Sequence, residues 1–236
     1  MKNSTLYLIP APLGDGPLET VIPSGVREIM LSLRTFVVEE ARTARRYLSE
    51  AGLRGHIQEL KIRELNEHST PQEVEALLEL FRDGSDVGLI SEAGLPAVAD
   101  PGAQLVDLCH RHGIKVVPLT GPSSLMLALM ASGLNGQCFT FRGYLPVKPA
   151  ERRAAIQKAE KRSSAAGETQ IFIETPYRSD ALLADLTSTL SPSTRLTVAT
   201  NLTCADESVH TLAVSEWKKV QVSIGKKPTV FLFLAK

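Results

Sequence analysis

Along the first half of the chain, apolar residues alternate between two spacings. Leu6–Ile9 is a short unbroken apolar run ending in a proline- and glycine-rich loop, the pattern of a buried strand. Val26, Ile29, Met30 and Leu33 then recur at i, i+3, i+4 and i+7, the stripe of an amphipathic helix. Phe36–Val38 predicts a strand and Thr43–Ala51 a helix. Ser69-Thr70 before Pro71 predicts a helix start, with Val74, Leu77, Leu78 and Phe81 along its apolar face. Strand Val87–Ile90, helix Ala103–His112, strand Val116–Leu119 and helix Ser123–Ser132 continue the rhythm. Strands alternating with helices predict a parallel sheet covered on its faces.

The pattern changes near Leu134–Gly143. A helix over Ala150–Arg162, strand Ile171–Ile173 and helix Asp180–Leu190 lead to strand patterns at Leu196–Thr200, Val209–Leu212 and Val230–Leu234. The expected fold is therefore α/β in two domains. Residues 1–138 form an N-terminal α/β domain with a parallel sheet, and 139–236 a C-terminal α/β domain with a mixed sheet.

Composition narrows the class. With 236 residues, 43% hydrophobic and 22% charged, the chain has the makings of a globular core and is neither disordered nor a polycation. Cys109, Cys138 and Cys204 are far apart with no CxxC, which argues against a disulfide framework and for a reducing compartment. Lys2, Asn3, Ser4 and Thr5 precede the short run Leu6–Ile9, which Pro10 and Pro12 cut off, so no secretory signal is expected. Leu125–Leu134 is about half the length of a membrane span. A cytoplasmic protein without a membrane partner is expected. The net charge of zero conceals an asymmetry: residues 1–118 carry 12 basic and 17 acidic side chains, residues 119–236 the opposite excess. Arg142, Lys148, Arg152, Arg153, Lys158, Lys161 and Arg162 face only Glu151 and Glu160 in the same stretch, a candidate track for phosphates.

Three predicted strands end in glycine- or proline-rich loops: Pro10–Thr20, Ser91–Gly102 and Thr120–Ser124. Open α/β sheets bind ligands outside the carboxyl ends of their strands, where glycine lets backbone groups approach closely. Other motifs are missing. Glu19 stands where a dinucleotide fingerprint needs its third glycine, and there is no GxxxxGK[ST], HExxH or GxSxG. His110 and His112 are two apart on a helix and point to different faces, so no metal site is expected.

The loops PLGDGPLET, SEAGLPAVADPG and TGPSS resemble the tetrapyrrole-methylase superfamily, the class III S-adenosylmethionine (SAM) methyltransferases. The similarity is greatest to the branch that methylates small-subunit ribosomal RNA at a ribose 2′-oxygen. Val38-Glu39-Glu40-Ala41-Arg42 is similar to that branch's AEDTR. Ser91-Glu92-Ala93-Gly94-Leu95-Pro96 with Ala99-Asp100-Pro101-Gly102 is similar to its SDAGTP…SDPG. Gly143-Tyr144-Leu145-Pro146-Val147-Lys148 resembles its GFLPxK, and Glu174-Thr175-Pro176-Tyr177-Arg178 its ESPHR. Departures are the missing GNL in the first loop, Glu for Asp at Glu40 and Glu92, and Leu95 for Thr. The ribosomal members usually carry a further C-terminal segment.

The resemblance implies a two-domain enzyme, usually a homodimer, with SAM in the interdomain cleft. It places first-domain cofactor contacts at Glu92, Ala93, Gly94, Ala97, Pro122, Ser123 and Ser124, and second-domain contacts at Ile173, Glu174, Asn201, Leu202, Pro228 and Thr229. It implies methyl transfer to RNA, with ribosomal RNA as partner and rRNA processing as role. A corrin or porphyrin precursor as methyl acceptor, and a non-catalytic SAM-binding protein, are the alternatives. For a hydroxyl acceptor, Glu40 or Glu67 is the expected base, with Arg42 and Lys148 suited to an anionic substrate.

Overall fold

The computed structural model describes residues 4–236. Lys2 and Asn3, which enter the targeting argument, lie outside the described residues. The chain divides into two compact units after Ser123.

The first unit is built on a five-stranded, all-parallel sheet of order β3-β2-β4-β1-β5. Its strands are β1 (Thr5–Ile9), β2 (Thr35–Val38), β3 (Lys61–Glu64), β4 (Val87–Ile90) and β5 (Lys115–Pro118). Helices α1 (Ser24–Ser32) and α2 (Ala41–Leu48) follow β1 and β2; α3 (Pro71–Ala76) and α4 (Ala103–Arg111) follow β3 and β4. Two apolar layers sandwich the sheet. On one face Val26 and Met30 of α1 and Tyr47 and Leu48 of α2 pack on Ile9, Phe36 and Val38. On the other, Val74 of α3 and Leu105 and Cys109 of α4 pack on Leu6, Val37 and Val87. Successive strands of the sheet centre are buried on both sides, which is why β2 and β4 read as unbroken apolar runs. Helix starts follow local chemistry. Thr70 accepts from the Glu73 N–H at 3.3 Å while the Glu73 carboxylate accepts from the Thr70 N–H at 2.8 Å, a capping box ahead of Pro71.

The second unit begins with α5 (Ser124–Ser132) and carries a mixed sheet of order β6-β7-β10-β8-β9. Its strands are β6 (Phe139–Tyr144), β7 (Thr169–Glu174), β8 (Arg195–Thr200), β9 (Ser208–Ala213) and β10 (Thr229–Leu234). Only the β6–β7 pair is parallel. Helices α6 (Pro149–Ala166), α7 (Ser179–Thr189) and α8 (Val214–Trp217) bury Ile156, Leu182, Leu186 and Trp217 against Phe172, Phe231 and Phe233. Helix α5 packs against β9 and β10, and its Ser132 carbonyl accepts from the Thr211 hydroxyl at 2.9 Å. The sequence boundary at 138/139 lies just before β6, where the strand pattern changes.

The arginines of the basic stretch in the second unit are internally paired. Arg152, 6% exposed, donates from Nε to Asp185 at 2.6 Å and from Nη1 to the Val147 carbonyl at 3.0 Å. Arg153 meets the other Asp185 oxygen at 3.1 Å, Arg162 meets Glu168 at 2.9 Å, and Lys148 meets Glu151 at 3.2 Å. The arginines of the expected phosphate track thus tie α6 to α7 and the sheet, while Lys158 and Lys161 make no ion pair among the described residues. None of the described helices is long and apolar enough to cross a membrane.

Candidate functional site

In the first unit, β1 and β4 are neighbours whose chains leave in opposite directions. From β1 the chain crosses by α1 to β2 on one face; from β4 it crosses by α4 to β5 on the other. A crevice opens at the carboxyl ends of such strands, and the three glycine-bearing loops meet there. Ala11 N–H donates to the Gly94 carbonyl at 2.8 Å and Gly94 N–H returns to Ala11 at 3.0 Å, joining the loops after β1 and β4. Gly121, in the loop after β5, lies so close to Pro10 that a Cβ there would sit 2.2 Å from the proline Cβ. The loop after β4 is wound through left-handed backbone, with φ of 74° at Gly94, 64° at Ala97, 63° at Ala99 and 127° at Gly102. At the two alanines this conformation costs about 1–3 kcal/mol each, strain that persists only where the surroundings hold it.

A cavity of about 440 Å³ opens between the first loop, the Ser91–Ala93 turn and the flank of α2 formed by Thr43, Arg46 and Tyr47, with Glu50 just beyond the helix. Tyr47, buried, donates its hydroxyl to the Pro10 carbonyl at 2.8 Å and so fixes α2 to the start of the first loop. Burial and Glu50 push its phenol well above the ordinary range. A larger groove, about 610 Å³, runs along β3 and α3 past Lys61, Arg63, Asn66 and Glu73. None of the glycine-bearing loops lines that groove, and it sits at the sheet edge rather than at the β1/β4 crevice.

The crevice is electronegative. Glu92 N–H donates to the Glu39 carboxylate at 3.2 Å. Burial pushes the Glu39 carboxyl up, and the charges of Glu92 and Glu67 add to the rise against that hydrogen bond. Asp100 is raised to about 6 by burial first and by Glu39 and Glu92 next, with the Ser91 hydroxyl opposing. Among the described residues, no group of His, Cys, Asp and Glu side chains is placed to hold a metal ion.

The second unit, taken by itself, gathers another polar edge. β7 and β8 end there and β10 begins there, with Thr229 paired to both Glu174 and Thr200. Asn201 N–H donates to the Pro228 carbonyl at 3.0 Å, and Asn201 and Thr203 have φ of 47° and 71°. Glu174 is buried. Its Oε1 accepts from Thr175 N–H at 2.7 Å and from Arg178 Nε at 2.9 Å, while Oε2 has no hydrogen-bond partner among the described residues. A buried carboxylate oxygen without a donor is costly and calls for an outside partner.

The structure brings Glu92, Ala93, Gly94, Ala97 and Pro122 into the loop cluster of the first unit; Ser123 ends that unit and Ser124 opens α5. It brings Ile173, Glu174, Asn201, Leu202, Pro228 and Thr229 to one edge of the second sheet. The expected polar residues are dispersed. Glu40 caps α2, accepting from Arg42 N–H at 2.9 Å and Thr43 N–H at 2.6 Å, bonds that hold its carboxyl below the usual range. Glu67 stands exposed beside His68, Arg42 lies in the first turn of α2, and Lys148 precedes α6. Glu39 and Asp100 stand within the motifs but outside the expected site residues. The last residue before a helix cap at a strand end is the signal that singles out Glu39.

Residues 5–217 match the family model described as tetrapyrrole (corrin/porphyrin) methylases. The chain is 32% identical over 215 residues to a ribosomal RNA small subunit methyltransferase I of Escherichia coli O157:H7, covering 91% of this chain and 71% of that one. It is 37% identical over 205 residues to the enzyme of the same name from Micromonospora olivasterospora, covering 87% and 61%. Among solved structures, the methyltransferase CobJ superposes with a TM-score of 0.63 at 16% identity over 98% of this chain and 93% of that one. Diphthine synthase does so at 0.64 and 15% identity over 99% and 90%.

Proposed function

The chain belongs to the tetrapyrrole (corrin/porphyrin) methylase family, and on that premise we propose that it transfers a methyl group from SAM to a ribose 2′-hydroxyl of small-subunit ribosomal RNA. The observation that carries this reading is the crevice of the first unit, where three strained or glycine-bearing loops meet under negative potential, in a chain whose relatives bear a ribosomal RNA methyltransferase name.

Each unit presents groups that fit SAM, which when bound supplies a methyl group on a positively charged sulfur. In the first unit, Gly121 against Pro10 and Gly94 against Leu13 let the three loops close on one another, and Glu39, Glu92 and Asp100 provide the negative potential that a cationic donor needs. In the second, the partnerless Glu174 Oε2 is an acceptor for a ligand hydroxyl or amino group. Ala93, Ala97, Pro122, Ser123 and Ser124, with Ile173, Asn201, Leu202, Pro228 and Thr229, would complete the cofactor contacts. The protein's work in such a displacement is to hold donor and acceptor in line and exclude water. Proton removal from the hydroxyl asks for a carboxylate whose ionised form is not strongly stabilised. Glu40 is held in its ionised form by the helix it caps, and Glu67 lies within electrostatic reach of Glu39. The Glu39–Asp100 pair meets the requirement best. A homodimer acting in the cytoplasm suits this role.

The test is transfer of labelled methyl from SAM to small-subunit ribosomal RNA lacking the modification, with a uroporphyrin-type tetrapyrrole in parallel. Alkali cleaves RNA only beside a free 2′-hydroxyl, so the label should appear in an alkali-resistant dinucleotide. Label in the tetrapyrrole, or in mononucleotides, contradicts the reading.

A further inference from the structure

Resting on RNA as the methyl acceptor, we propose that the exposed arginine row of α2, Arg42, Arg45 and Arg46, grips the acceptor's phosphates at the rim of the α2 cavity. The three side chains stand at i, i+3 and i+4, so they share one face of the helix. Arg46 itself lines the cavity. The buried face of the same helix, Ala44, Tyr47 and Leu48, is locked to the core, and the Tyr47 bond to Pro10 sets the row against the first loop.

What singles out this row is the absence of countercharge. The first unit carries an excess of acids, yet among the described residues neither Arg45 nor Arg46 makes an ion pair or a side-chain hydrogen bond. Glu50, four residues beyond Arg46, forms no ion pair with it. Glu40 attracts Arg42 only at longer range, because its oxygens are taken by the helix cap. Arg45 and Arg46 suit the negative end of the helix dipole, but Arg42 lies in the first turn, where a cation is disfavoured. Arg42 and Arg46 are also like charges at i, i+4, which weakens the helix further. An arrangement that costs the free protein stability is compensated when an external polyanion neutralises it. Helix α6 shows the contrast. Its arginines, with more positive charge in sequence, are consumed by Asp185 and Glu168. Lys158 and Lys161 of α6 also lack an ion pair among the described residues, but they line neither the α2 cavity nor a loop of the crevice, so the proposed phosphate surface lies on the acidic half of the chain, where net charge alone would not place it.

The test compares R45Q/R46Q with K61Q/R63Q, a charge-matched change in the groove along β3. Binding of a single-stranded fragment of small-subunit ribosomal RNA is followed against salt, and methyl transfer is measured with SAM saturating. Each lost single-strand phosphate contact lowers the log–log salt slope by roughly 0.7, so R45Q/R46Q should lose about 1.4, or about 25-fold in affinity at 0.1 M salt. Its KM for RNA should rise accordingly with kcat within about twofold, because contacts made equally in ground and transition states act on binding alone. K61Q/R63Q should keep the wild-type slope. An unchanged slope in R45Q/R46Q, or an equal fall in both variants, overturns the proposal while methyl transfer to RNA by the wild type leaves the acceptor reading intact. A wild type that neither binds nor methylates RNA overturns both.

Discussion

Substituting Gly121→Ala places a methyl carbon 2.2 Å from Pro10 Cβ and 2.3 Å from its Cγ. Unstrained carbon contacts lie at about 3.5–4.0 Å, so the loops after β1 and β5 must part by more than about 1 Å. The Gly121 backbone is not in the left-handed region, so the alanine meets the proline ring and no backbone penalty of its own. Overpacking of this kind costs about 1–3 kcal/mol. For a unit of this size, about 4 °C per kcal/mol, the melting transition should fall by about 4–12 °C. Parting the loops should also weaken SAM binding by about tenfold, equivalent to 1.4 kcal/mol. The control is Gly25→Ala in α1 of the same unit, where a Cβ meets nothing within 4 Å; helix propensity should there raise stability by about 0.5–1 kcal/mol. Scanning calorimetry reads the first quantity and titration calorimetry with SAM the second. A Gly121→Ala protein that melts within a degree of wild type and binds SAM equally well refutes the reasoning that these loops are held in contact.

Two further changes probe the electrostatics. Arg152→Ala leaves Asp185 buried beside the partly exposed Arg153 alone; breaking a buried pair typically costs about 3–5 kcal/mol, and urea unfolding should show a loss in that range, whereas a loss under about 1 kcal/mol contradicts a structural role for this arginine. Asp100 rises from an ordinary 3.8 to about 6 in the fold, so the folded state holds its proton more tightly and stability falls as pH rises from about 4 to about 6. Asp100→Asn should therefore be more stable than wild type at pH 8, by about 1 kcal/mol after allowing for solvent screening, and equal to it near pH 4. An advantage that grows on acidification would reverse the sign and refute the assignment.

The alternation of the first half was legible because β2 and β4 are buried on both faces and each helix turns a single apolar stripe to the sheet. Two strands escaped the pattern, both at sheet edges. β3 contains Ile62 among Lys61, Arg63 and Glu64, because one flank of an edge strand faces solvent. β6 is interrupted at Gly143, φ 66°, where its register with β7 shifts. The loop cluster was legible through its glycines and prolines, since left-handed turns and close backbone approach restrict residue choice. The roles of the charged residues were not. Glu39 and Glu40 are adjacent, yet one caps a helix and the other turns into the crevice, a distinction set by which of them ends the strand. The basic run of α6 gave no hint that Asp185, a helix away, would take up Arg152 and Arg153.

Hydrogen exchange with and without SAM tests the central claim most directly. The account predicts new protection at 11–14, 92–99 and 120–123, with the β3 groove at 61–80 unchanged. Protection confined to that groove, or none in the three loops, would contradict it.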